Sequence, residues 1–185
     1  EWVNGLSEIL KYGMIEDPEI LETLYALTSG GDFGSPEDWI PVITKSAGIK
    51  TDVVSRDVKE SGVREFLNFG HTFAHVIEKM GNYKTYSHGE AVFAGMIAAL
   101  HMSNKVGAKI DPQLLMRFKN LYTFDLKQLG EDTQHFIELM LRDKKVKNST
   151  IRLVLLKQTG APFVQSFEEA GLIKESWHQV INVFN

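Results

Sequence analysis

The sequence predicts a mainly α-helical fold, a helical bundle carrying one small strand or hairpin near residues 151–165. Three observations carry that expectation. Apolar residues recur at helical spacing through most of the 185 residues. Helix-start chemistry punctuates the pattern at Asp17-Pro18 and at Ser35-Pro36-Glu37-Asp38. The best strand candidate is the apolar run Ile151-Arg152-Leu153-Val154-Leu155-Leu156, which Thr159-Gly160 turns toward Pro162-Phe163-Val164.

Taken in order, Trp2 to about Ile15 reads as a first helix, and Asp17-Pro18 caps a second over Glu19 to Leu27. The glycine-rich stretch from Thr28 to Gly34 lacks the order of a phosphate-binding P-loop and reads as a connection. Ser35 is an N-cap with proline next and acids in the first turn, and its helix continues from Trp39 to about Lys59. A helix rich in histidine follows and ends near Gly81. Further helices are expected from about His88 to Val106, Asp111 to Leu121 and Asp132 to Leu141. After the hairpin, a helix from Lys174 to Phe184 closes the chain.

A hydrophobic fraction of 43% over this length supports one sizeable core, and no repeat, low-complexity tract or linker divides it. One domain spanning 1–185 is the expectation. The net charge of −4 and the lack of any long like-charged run exclude a nucleic-acid surface. The absence of cysteine removes disulfides and thiolate metal sites and fits a cytoplasmic protein. No apolar stretch reaches the roughly 18 residues a membrane span needs. The chain opens at Glu1 directly into a helical pattern, which reads as an excised fragment.

Several polar residues interrupt otherwise apolar helices. Arg64, Asn68, His71 and His75 lie at offsets 0, 4, 7 and 11. On a continuous helix all four fall within about 60° of one another. His88 and Glu90 open a second apolar helix, and Asn4, Glu8 and Lys11 share a face of the first. A lone helical histidine is most often a surface or satisfied core residue, and His101, His135 and His178 are read so. His71 and His75 share a face, yet the chain has no HExxH of a zincin protease. A site of Glu8, His71 and His88 would be a two-histidine, one-carboxylate set, with an open position suited to catalytic zinc. Lys50, Arg64 and Asn68 could hold a carboxylate or phosphate, although a solvated helix face is the ordinary reading of such residues.

Four segments carry a resemblance. NGLSEILKYGMIEDPEI is similar to a GLAEVIKxGxIxD motif. KTDVVSRDVKESGVREFLNFGHTFAHVIE is similar to KxxVVxxDExExGxRxxLNFGHTxGHAxE. YSHGEAVFAGMIAAL is similar to HGEAVAxGM, and LMLRDKKVKNSTIRLVLL to MxxDKKxxxGxxxxVLL. In this order and spacing the chain resembles the 3-dehydroquinate synthase family throughout its length. Departures are Ser7 where alanine is usual, Ala74 where glycine is usual, Val58 in place of an acidic pair, and Asn148-Ser149 where glycine often stands.

The resemblance implies the carboxy-terminal, mostly helical domain of a two-domain enzyme, without the amino-terminal NAD-binding domain. It implies Glu8, His71 and His88 as ligands of Zn2+ or Co2+, with Lys11, Lys50, Arg64, Asn68 and His75 lining a substrate pocket. One of Lys144 and Lys145 would also contact substrate, and both stay candidates. The implied activity is an NAD- and metal-dependent carbon–oxygen lyase of the shikimate pathway, acting on 3-deoxy-D-arabino-heptulosonate 7-phosphate. Its products are 3-dehydroquinate and phosphate, with His75 and Lys11 in catalytic roles. A small sugar phosphate is then the partner, and the full-length enzyme is expected to be a homodimer. The alternatives are another sugar-phosphate cyclase, a glycerol-dehydrogenase-like metal-dependent enzyme, or a non-catalytic metal-binding or oligomerisation domain.

Overall fold

The computed structural model of the chain describes residues 2–31, 33–59, 62–142 and 150–184. Three helices open it: α1 (Trp2–Ile15), α2 (Glu19–Thr28) and α3 (Pro36–Arg56). A 3-10 turn (Val63–Asn68) leads into α4 (His71–Met80) and α5 (His88–Lys105). The short α6 (Gln113–Met116) and α7 (Lys127–Glu131) precede α8 (Thr133–Arg142). The antiparallel strands β1 (Ile151–Leu156) and β2 (Pro162–Phe167) and the helix α9 (Gly171–Val183) complete it. The helical bundle with one hairpin is therefore the observed architecture.

Helix α5 is the axis of the bundle. Every residue from Ala91 to Leu100 is buried, as expected of a helix apolar on all sides. Helices α1, α4 and α9 pack on it, and β1 lies against it. Its first turn is held by a capping box, in which Ser87 N–H donates to Glu90 Oε2 at 2.8 Å and Glu90 N–H to Ser87 Oγ at 3.3 Å. The Glu90 carboxylate is thus committed to the helix start. The hairpin is pinned on both sides. Leu156 N–H donates to the buried Ser103 Oγ at 3.0 Å, and Gly160 N–H to the Met14 carbonyl at 2.8 Å.

The expected continuous helix through Arg64 and His75 is interrupted. Val63–Asn68 is a 3-10 turn, and Gly70 adopts a left-handed φ of +79° before α4 starts at His71. Contact with α5 explains the break. A Cβ on Gly70 would stand 2.7 Å from the Met96 backbone nitrogen, and one on Gly95 would stand 2.2 Å from the Gly70 carbonyl oxygen. The backbones meet directly, and only glycine permits it. The predicted four-residue stripe is thus split, with Arg64 and Asn68 in the 3-10 turn and His71 and His75 in α4.

Other boundaries moved for similar reasons. Asp111 to Leu121 does not form one helix but divides into α6 and a 3-10 turn (Lys119–Leu121). Leu115 and Phe118 are both fully buried, and Arg117 pairs with Glu22 at 2.8 Å, contacts that override helical continuity. Helix α3 ends at Arg56, before Lys59, because the Asp57 carboxylate turns to accept the N–H groups of Gly62 and Arg64 at 2.7 and 3.1 Å. The short α7 was not expected, and α9 begins at Gly171, ahead of Lys174. A Cβ on Gly130 would lie 2.7 Å from Ile181, so α7 rests directly on α9. Among the described residues no helix is long and apolar enough to cross a membrane.

The glycine contact yields a paired expectation. Gly95→Ala gains helix propensity but places a methyl against backbone that cannot yield, so a net loss of about 1–3 kcal/mol is expected. That corresponds to a fall in Tm of roughly 3–10 °C by circular dichroism. Gly48→Ala, in α3 where a Cβ meets nothing within 4 Å, should instead raise stability by up to about 1 kcal/mol. A neutral or stabilising Gly95→Ala would refute the close approach.

Candidate metal centre

Three elements bring their polar residues to one place. Helix α1 buries Leu6, Leu10, Met14 and Ile15 in the core. Glu8 and Lys11, three residues apart on the same helix, pair with one another. Helix α4 begins with His71, directly after the Gly70 contact, and α5 begins with His88. Glu8 Oε1 faces His71 Nε2 at 3.4 Å and His88 Nε2 at 3.6 Å. One ligand atom from each of the three lies within 4.8 Å of the others.

Hydrogen bonding orients these atoms for a cation. Each histidine has its far nitrogen beside an acceptor: His71 Nδ1 is 3.1 Å from the Phe69 carbonyl, and His88 Nδ1 is 2.9 Å from Glu78 Oε1. Carbonyl and carboxylate oxygens only accept, so both Nδ1 atoms carry the hydrogen, and in the neutral imidazole each Nε2 then presents a lone pair inward. Glu8 Oε1 is buried and accepts no hydrogen bond, while Oε2 accepts one from Lys11 Nζ at 2.6 Å. Three electron-pair donors thus face one another with no hydrogen between them. Two ligands on a tetrahedral zinc stand about 3.4 Å apart, so the spacing and the donor set both fit a borderline divalent cation.

Electrostatics keep the donors in the form that binds metal. Burial pushes the Glu8 carboxyl up, but His71, protonated and able to donate at the acid pH where Glu8 titrates, outweighs it together with the Lys11 charge and holds it at about 2. Burial pushes the His71 imidazole below its usual range, with Lys11 adding to the effect and Glu8 opposing it, so the ring is neutral at neutral pH. Lys11 is 3% exposed, and burial likewise lowers its ammonium against the pull of Glu8, with Lys50 near enough to push it further down.

The other predicted residues are distributed around this centre. His75 lies one turn beyond His71, with ring centroids 6.0 Å apart and near-perpendicular planes. Its ring neighbours the cluster without entering it. Asn68 closes the 3-10 turn just before the Phe69-Gly70 link to His71. Arg64 is fixed through its backbone by Asp57, and its guanidinium donates to the Val58 carbonyl at 3.1 Å. Lys50 is exposed on α3, at the rim of an apolar groove lined by Trp2, Ile9, Tyr12 and Trp39. Lys144 and Lys145 lie outside the described residues. His101, His135 and His178 stand apart from the cluster.

Two contributors escaped the sequence reading. Glu78, which orients His88, is seven residues after His71 and so on the same helical face, a signal that was available. The Phe69 carbonyl gives no sequence signal at all.

A model of the carboxy-terminal domain of 3-dehydroquinate synthase matches residues 5–146. The 3-dehydroquinate synthase of Syntrophotalea carbinolica is 35% identical over 175 residues, covering 94% of this chain and 48% of that protein. That of Chlorobaculum tepidum is 41% identical over 175 residues, covering 89% of this chain and 47% of its own. Among solved structures, 2-epi-5-epi-valiolone synthase from Streptomyces hygroscopicus, with NAD+ and Zn2+ bound, superposes with a TM-score of 0.76 at 20% identity. It is covered over 51% of its length and this chain over 97%. A 2-deoxy-scyllo-inosose synthase complexed with carbaglucose-6-phosphate, NAD+ and Co2+ gives 0.74 at 23% identity, covering 96% of this chain and 51% of that one. Those two likenesses establish the shared fold. The chain spans about half the length of the relatives it matches. With its family model extending over residues 5–146 and close relatives matched over nine-tenths of its length, the chain belongs to the 3-dehydroquinate synthase family.

Proposed function

We propose that this chain is the metal- and substrate-binding domain of a 3-dehydroquinate synthase, converting 3-deoxy-D-arabino-heptulosonate 7-phosphate to 3-dehydroquinate and phosphate. The observation that carries the reading is the buried, unbonded Glu8 Oε1 facing the Nε2 atoms of His71 and His88. These three residues would hold Zn2+ or Co2+, which when bound supplies Lewis acidity toward a substrate hydroxyl. NAD, the hydride carrier, would be held mainly by an amino-terminal domain outside these residues, since no glycine-rich turn after a strand occurs in the sequence.

The chain's own residues then divide the work. Lys11 uses one N–H on Glu8 and has two more to offer substrate hydroxyls beside it. Lys50 and Arg64 bind the substrate carboxylate, Arg64 exchanging its Val58 contact for the bidentate partner its guanidinium favours. Asn68 meets the phosphate, one of Lys144 and Lys145 adds a further substrate contact, and His75 gives and takes a proton beside the metal. A carboxylate clamp favours this substrate over the rings made by the inosose and valiolone cyclases. A homodimer and a cytoplasmic location for the full-length enzyme belong to the same reading.

Two measurements test it. In the full-length enzyme His71→Ala should lose the metal, as read by atomic absorption after dialysis. His75→Ala should keep metal near the wild-type content while kcat falls about 10²- to 10⁴-fold. Exchange of those two outcomes would exchange the residues' roles. The chain of 185 residues alone, given the heptulosonate phosphate and NAD, should release no phosphate above background. Turnover at an ordinary enzymatic rate would place the nucleotide site within it.

A further inference from the structure

His88 is the most exposed of the three candidate ligands, its side chain 44% accessible against 13% for His71 and 29% for Glu8. Packing therefore holds it least, and its place depends on the Glu78 hydrogen bond and on the backbone of the first turn of α5. That turn is gripped from α1 at one residue, on the peptides either side of it. Gly89, the second residue of α5, is buried, and its N–H is among the donors a helix start leaves unpaired. Asn4 Oδ1 accepts that N–H at 2.7 Å. The Gly89 carbonyl accepts Ser7 Oγ–H at 2.6 Å.

The grip is itself braced. Ser7 has one hydroxyl hydrogen, committed to Gly89, so in the 2.7 Å contact between Ser7 Oγ and Tyr122 the tyrosine hydroxyl donates. The Tyr122 ring stacks on Phe93 of α5 with centroids 3.9 Å apart and planes within 6°. Ser7 is wholly buried and Tyr122 nearly so. Ser7 adjoins Glu8 and Gly89 adjoins His88 in sequence, so the contact couples the two ligands through their neighbouring residues. Ser7 is also a position where this chain departs from the motif it resembles.

We propose that Asn4, Ser7 and Tyr122 form a positioning clamp on the two peptides that flank the Gly89 Cα, and that it sets His88 against Glu8 for metal binding. The inference rests on the metal-site reading above. None of the three is among the candidate ligands. They act through the backbone that carries His88.

Titration with Co2+, followed by its visible absorption well below the melting temperature, tests the clamp. Asn4→Ala combined with Ser7→Ala should weaken Co2+ binding about ten-fold and alter the absorption band at saturation. Tyr122→Phe keeps the stack on Phe93 and removes only the hydroxyl, so it reports even where the double variant fails to fold. It should weaken binding by about three-fold. Ser103→Ala is the control, because it removes an equally buried hydroxyl, bonded to the Ala99 carbonyl and Leu156 N–H farther along α5. It should lower Tm and leave Co2+ affinity within about two-fold of wild type. Clamp variants that bind Co2+ as wild type does, with an unchanged spectrum, would overturn the clamp alone. A wild-type protein that binds no Co2+ would overturn the metal reading and the clamp with it.

Discussion

The contact between the Gly70 carbonyl and Gly95 sets how closely α4 lies on α5, and the geometry of the centre follows from it. Two backbones that touch without intervening side chains leave little freedom to slide. The first residue after that contact is His71, so a ligand sits where the chain is most tightly located. The cost is conformational, since Gly70 holds a left-handed φ and interrupts what would otherwise be one helix from Arg64 onward. Helix α5 tolerates the approach because Gly95 presents no side chain there, and its burial on all sides keeps it fixed.

Against this apolar frame the polar centre is expensive. A carboxylate and an ammonium buried together seldom add net stability, because desolvation consumes much of their attraction. Glu8 spends one oxygen on Lys11 and leaves the other without a hydrogen bond, a state that costs free energy unless a cation takes it. The centre is thus a place where the fold forgoes stability and a bound metal restores it. At a concentration about a thousand times the Kd, a ligand specific to the folded state adds roughly 4 kcal/mol.

Much of this was legible in the residues. Helices α1 and α2, the start of α3, the whole of α5 and the hairpin follow from apolar spacing, caps and the β-branched run. Polar interruptions of apolar helices make Glu8, His71 and His88 a candidate set, the family resemblance singles it out, and the structure brings those three together. Tertiary contacts hid the rest. Nothing local announces that Gly70 meets α5 or that Phe118 turns inward to end α6. Spacing also put Arg64 and Asn68 on a helical face with the histidines, because periodicity counts residues and does not see a left-handed break between them. Asn4 stood on the same stripe as Glu8, but its role depends on a partner, Gly89, 85 residues away.

Charge gives the reading its last step. Glu8 and Lys11 cancel one another, and burial keeps His71 neutral, so these three residues carry no net charge among them. A divalent cation would add two positive charges, and Lys50 and Arg64 two more at the edge. A substrate bearing one carboxylate and one phosphate carries about three negative charges at neutral pH, and that balance suits such a site. A neutral polyol would offer the same cations no charged partner. A site charged in this way would select its substrate by charge as much as by shape, which is the physical reason the carboxylate clamp is proposed at Lys50 and Arg64, outside the candidate metal ligands.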